Sequence, residues 1–135
     1  MDNVKLRVAI QFLAWAFIAL IAYATLTKIG FIYAVYDHVA PLLMRPSLRV
    51  YTHIEHVVAF AVFGALFSLA YSRRPLVVYG LVFGGAIVLE LMQTLTPDRH
   101  GTLVDAVEKM AGGALGILLT QAVAGFRLHE KGWKT

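Results

Sequence analysis

Four apolar stretches, each about as long as a helix that crosses a bilayer, set the limits on this chain. They run from Val8 to Thr27, Ile54 to Tyr71, Pro75 to Leu95 and Leu103 to Phe126. A helix needs about 20 apolar residues to span roughly 30 Å of hydrocarbon. Backbone groups in lipid must pair within the segment, which favours helices over open sheets. The 135-residue chain is 59% hydrophobic, above the ~45–50% usual for soluble domains. The expectation is an all-α membrane protein: one domain over residues 1–135, built as a four-transmembrane-helix bundle.

The connections refine this picture. Ser72 to Pro75 is short and basic, and Thr96 to Gly101 is short and of mixed charge. The Lys28 to His53 connection is longer and holds Tyr33, Tyr36, Tyr51, Pro41 and Pro46. Tyrosine is favoured at the membrane–water boundary, so this stretch reads as an interfacial segment between helices 1 and 2. Lys5, Arg7, Arg73, Arg74, Arg127, Lys131 and Lys134 fall on one side of the predicted bundle; Lys28, Arg45, Arg49 and Arg99 fall on the other. By the positive-inside rule both termini are cytoplasmic. Ala22-Tyr23-Ala24 could serve as a signal-peptidase site, but the apolar run before it is long for a signal peptide, and a retained helix is expected.

Several function classes drop out. There are no cysteines, so disulfides, thiolate metal sites and cysteine nucleophiles are excluded. No basic face with interleaved aromatics suggests nucleic acid. His53-Ile54-Glu55-His56 fits neither of the metalloprotease helix motifs. His53 and His56 could share a metal with Glu90 or His100, but the expectation is that the protein holds no metal and no cofactor.

The polar residues are distributed asymmetrically. Asp37, Glu55, Glu90, Asp98, Asp105 and Glu108, with His38, His53, His56 and His100, all fall at the predicted outer side. Glu90, Glu108 and Lys109 each lie about 7–8 Å inside a helix end. Ionisable groups at that depth are costly unless paired or set in a wet cavity, and so they mark candidate sites. Structural readings compete. Thr52 to Glu55 and Thr102 to Asp105 both fit a capping box. Asp105 and Lys109 are spaced as an intrahelical ion pair. Gln93 shares a face with Glu90 and could bond across helices. Gly80/Gly84 and Gly112/Gly116 are small-residue pairs that let helices approach closely, within the chain or in a homodimer.

The run from Glu90 to Gly116, preceded by Glu55 to Gly64, resembles the VanZ-like membrane proteins. That family's pattern is Asp-Lys-x-x-His, Glu-x-x-Gln, a loop Arg, an Asp, an Asn four residues on, and Gly-x-x-x-Gly. His56, Glu90, Gln93, Arg99, Asp105, Gly112 and Gly116 match it in order. Thr52-His53 stands where the pattern has Asp-Lys, and Lys109 where it has Asn. Lys109 could supply the cation that position 53 does not reliably carry, which would couple it to Glu90. The resemblance implies a multi-pass protein of the bacterial cytoplasmic membrane, linked through the family's namesake to glycopeptide tolerance.

The candidate ligand-binding residues are therefore His56, Glu90, Gln93, Arg99, His100, Asp105 and Lys109, with no catalytic residue assigned. The expected partner is a membrane lipid, an anionic isoprenoid or phospholipid, or a cell-wall precursor. A proton-linked lipid transporter or flippase using Glu90 and His56, and a non-catalytic scaffold subunit, are the alternatives.

Overall fold

A computed structural model describes residues 3–27, 48–96 and 101–132, with side chains over 4–27, 53–96 and 101–126. The described residues form four helices: α1 (Asn3–Leu26), α2 (Leu48–Ala70), α3 (Pro75–Thr94) and α4 (Leu103–Gly132). Arg99, His100 and most of the predicted interfacial segment lie outside the described residues.

Two helices begin ahead of their apolar stretches. α1 starts at Asn3 rather than Val8, and α2 at Leu48 rather than Ile54. At its other end α4 runs on to Gly132, past Phe126. Hydrophobicity marks the length of a helix that belongs in lipid, whereas the hydrogen-bond ladder continues into polar surroundings. The α2 start also overturns one capping expectation. Thr52 and Glu55 sit inside a helix already under way, so Glu55 caps nothing there, and it is exposed. α3 opens on Pro75 in its first turn, where the missing N–H has no intrahelical role.

Among the described residues, three helices are long and apolar enough to cross a membrane, over Val4–Leu26, His53–Ala70 and Pro75–Thr94. α4 is not among them, which narrows the expectation of four spans to three established by composition. Asp105, Glu108 and Lys109 in its first two turns, and Gly112, Gly113, Gly116 and Gly125 further on, dilute its apolar character.

Cross-helix contacts fix the directions. Trp15 on α1 meets Phe67 on α2 edge-to-face, with ring centroids 5.4 Å apart, and its Nε1 donates to the Tyr71 hydroxyl at 2.9 Å. Gln11, one turn earlier, donates to the Ala70 carbonyl at 3.5 Å, so α1 runs antiparallel to α2. Glycines on α4 approach Val57 and then Ala61 in rising order, so α2 and α4 are parallel. One end of the bundle thus gathers the N-terminal end of α1 and the α2–α3 turn. The opposite end gathers His53 and His56, Glu90 and Gln93, and the start of α4.

α2 is the central helix. Its Phe60, Phe63 and Phe67 are almost fully buried and stack edge-to-face in sequence. Val78, Val82 and Ala86 from α3, Ala14 and Ile21 from α1, and Ile117 from α4 close around them. Large apolar side chains also cover the outside, among them Phe12, Leu20, Leu69, Leu91 and Leu119. Buried apolar residues inside and exposed apolar residues outside are what a bundle in lipid requires, since hydrocarbon does not drive these side chains inward.

Candidate polar site between helices 2, 3 and 4

The α3–α4 connection shapes the first half of the site. A Cβ on Gly101 would overlap the Glu90 carbonyl and lie 2.8 Å from Thr94 Cγ2, so the chain passes α3 at a distance that only glycine permits. Thr102 follows, and its hydroxyl accepts from the Asp105 N–H at 3.1 Å, capping α4. The reciprocal half of a capping box is missing. The Thr102 N–H donates not to Asp105 but to Glu90 Oε1, at 2.9 Å. Thr102→Ala is expected to lower thermal stability by about 1 kcal/mol and to leave the backbone bond to Glu90 in place.

Glu90 is 6% exposed, Gln93 8% and Lys109 1%. Lys109 Nζ donates to Glu90 Oε2 in a buried ion pair. The Gln93 amide lies against both groups. With its nitrogen toward Glu90, it donates to Oε1 and Oε2 at 3.0 and 3.2 Å. The opposite orientation sets an amide oxygen against a carboxylate, offset by longer contacts of 3.3 Å to Lys109 and 3.4 Å to the Thr25 carbonyl. The first orientation is the favourable one. Glu90 is then served by an ammonium, an amide and a backbone N–H.

The helix turn explains why Lys109 leaves Asp105. At about 100° per residue, Glu108 and Lys109 flank Asp105 on opposite sides of α4. Lys109 points to α3 and finds Glu90, while Asp105 and Glu108 point to α2. The expected Asp105–Lys109 pair gives way to two cross-helix contacts.

The second half of the site lies on that α2 side. His53 and His56 are three residues apart and share one face of α2. Against Glu108, which as a carboxylate only accepts, His53 Nδ1 donates at 2.8 Å. The Nδ1 of His53 is 3.9 Å from Asp105 Oδ1. His56 Nδ1 lies 3.7 Å from Asp105 Oδ1 and 3.8 Å from Glu108 Oε2. It is shielded from solvent and makes no hydrogen bond. His53 is the open member, with 45% of its side chain exposed.

These positions agree in order with the pattern singled out in the sequence, and a family comparison decides the matter. The VanZ/LLP1 family model matches residues 5–124. The chain belongs to that family. No curated protein and no solved structure gives a significant match to it.

Five of the seven residues singled out in this VanZ/LLP1 chain come together at one end of the bundle: His56, Glu90, Gln93, Asp105 and Lys109. They divide into two groups. Glu90, Gln93 and Lys109 form a dry, internally satisfied cluster. His56 and Asp105 join His53 and Glu108 in a half-buried one. His53 and Glu108 are not among the seven, yet a signal for them exists. Asp105/Glu108 on α4 repeats the spacing of His53/His56 on α2, and two parallel helices with matched spacings can set such pairs face to face.

Proposed function

We propose that this VanZ-like protein binds the phosphate-bearing headgroup of an envelope lipid or cell-wall precursor at the outer membrane face, and through it affects glycopeptide tolerance. The observation that carries the reading is the half-buried His53–His56–Asp105–Glu108 cluster at the end of the bundle where α3 ends and α4 begins. The carboxylates accept from hydroxyl or amide donors of the headgroup. Arg99 and His100 contribute the charge that meets phosphate through charge-assisted hydrogen bonds.

Lys109 plays a different part in this reading from the one its charge suggests. Buried and paired with Glu90, it holds α3 to α4 and leaves phosphate to the loop. The orientation follows the Lys and Arg distribution, with both termini cytoplasmic and α4 as the fourth span, its charged first turns shielded by α2 and α3. A homodimer, where one forms, would use Gly80 and Gly84 of α3, where an added Cβ would meet no neighbouring helix within 4 Å among the described residues.

Native mass spectrometry of the purified protein tests the reading. A discrete phosphate-bearing lipid should co-purify with the wild type and be lost in Arg99→Ala at unchanged membrane abundance. Glycopeptide tolerance in the host should fall with it. Retention of bulk phospholipid alone, unaltered in Arg99→Ala, overturns the proposal.

A further inference from the structure

We infer that His53, His56, Asp105 and Glu108 form a binding site for one divalent transition-metal ion, of which zinc is the model case. The inference takes the same four side chains as the lipid reading, gives their carboxylates to a metal rather than to headgroup donors, and rests on their geometry alone.

His53, Asp105 and Glu108 each offer a ligand atom, and these atoms all lie within 4.8 Å of one another. His56 lies outside that set of three but beside it, its Nδ1 being 3.7 Å from Asp105 Oδ1 and 3.8 Å from Glu108 Oε2, within reach of a fourth ligand position. Ligands about 2.0–2.1 Å from a tetrahedral zinc stand roughly 3.3 Å from each other. Three of the four measured imidazole–carboxylate separations, 3.7, 3.8 and 3.9 Å, exceed that edge by only about half an ångström. The fourth, His53 to Glu108 at 2.8 Å, is a hydrogen bond whose proton a metal would displace. A small rotation of the Glu108 side chain then opens it to the ligand spacing.

A structural explanation covers only part of this arrangement. Glu108 and His53 satisfy each other. His56 Nδ1 does not belong to that bond: it is buried, has no hydrogen-bond partner among the described residues, and faces two carboxylate oxygens at distances too long for hydrogen bonding. Asp105 is likewise released from the capping role that would have occupied it, because Glu90 takes the Thr102 N–H. Lys109, adjacent to Glu108 in the chain, is turned away and neutralised by Glu90. A divalent cation among these atoms would satisfy the orphaned nitrogen and offset both carboxylates at once. Two imidazoles in the set favour zinc and similar ions over magnesium or calcium, which prefer oxygen ligands.

The full chain, purified in detergent without a histidine tag and stripped with chelator, is titrated with Zn2+ alone. One equivalent is expected to bind with release of protons, and an excess of Mg2+ of about tenfold should not displace it. His53→Ala, Asp105→Asn and Glu108→Gln should each weaken binding by at least about tenfold, since even outer-shell changes cost 10–100-fold. Size-exclusion elution checks that each variant is folded. Co2+ added to the wild type gives a second measurement that needs no variant: its visible spectrum should show ligand-field bands of a mixed imidazole–carboxylate site. Failure to retain Zn2+, Zn2+ affinity unchanged in the folded variants, displacement by Mg2+, or a Co2+ spectrum matching the hydrated ion would each overturn the inference.

Discussion

Glu90→Gln and Lys109→Met, introduced one at a time, are each expected to destabilise the detergent-solubilised protein by about 3–5 kcal/mol, and the double variant to recover most of that loss. The cost of each single change comes from the partner left behind. Lys109 is 1% exposed, so without Glu90 its ammonium is buried unpaired or must shed its proton. Without Lys109, the Glu90 carboxylate keeps only the Gln93 amide and the Thr102 N–H. In the double variant both charges are gone and the shapes are nearly kept. The reversed pair, Glu90→Lys with Lys109→Glu, should do better than either single change but worse than the neutral pair. Thr102 N–H and the N-terminal end of α4 both favour a negative group at position 90. Unfolding monitored by circular dichroism against temperature or SDS measures all four. Single variants within about 1 kcal/mol of the wild type would show that the pair contributes little, as exposed pairs do.

That expectation bears on how the chain departs from its family. The VanZ-like pattern it resembles has Asn where Lys109 stands, and Asp-Lys where Thr52-His53 stands. A lysine at position 109 brings the positive charge to Glu90 from α4, leaving position 53 open to an imidazole. The coupling of Glu90 to Lys109 was legible in the sequence only through that departure. Spacing along α4 pointed instead to Asp105 as the partner of Lys109. Intrahelical spacing says which residues share a face; it does not say which neighbouring helix presents the stronger partner. Once α3 lies alongside, a buried cross-helix bond outweighs a pair worth a few tenths of a kcal/mol.

The helices were legible for a simple reason. Long apolar runs, Pro75 at the start of one of them, and Thr102 before another are local signals, and all four helices follow them to within a turn at one or both ends. The start of α2 was not. Leu48 to His53 is mixed in polarity and carries Arg49 and Tyr51, so it reads equally as an interfacial stretch or as helix. Continuation from an established helix decides it, because adding a residue to a formed helix costs far less than nucleating one. The grouping of the polar residues was less legible still. The sequence links His56 with Glu90 through the family pattern and as a relay or shared metal site, whereas the rotation of α4 sets it against Asp105 and Glu108.

Gly116→Ala and Gly112→Ala are expected to be among the most damaging small-residue substitutions at the described positions, each costing at least about 2–3 kcal/mol. Both glycines lie on α4 where it runs parallel to α2. A Cβ at Gly112 would overlap the Val57 carbonyl; one at Gly116 would overlap the Ala61 carbonyl and come within 2.9 Å of the Ala65 nitrogen. These neighbours are backbone, which cannot rotate away, so the two helices must separate. Separation also carries His53 and His56 away from Asp105 and Glu108, which are set by the same pair of helices. Gly116→Ala should therefore lose Zn2+ binding along with stability. Gly80→Ala is the matched control. Its Cβ meets nothing within 4 Å, and replacing a helical glycine by alanine is favourable by up to about 1 kcal/mol. It should fold and bind Zn2+ as the wild type does, and a loss of dimer without a loss of stability would locate a contact between copies on that face of α3. Wild-type stability in Gly116→Ala would mean that α2 and α4 do not touch as described, and the placement of both histidines against the α4 carboxylates would fall with it.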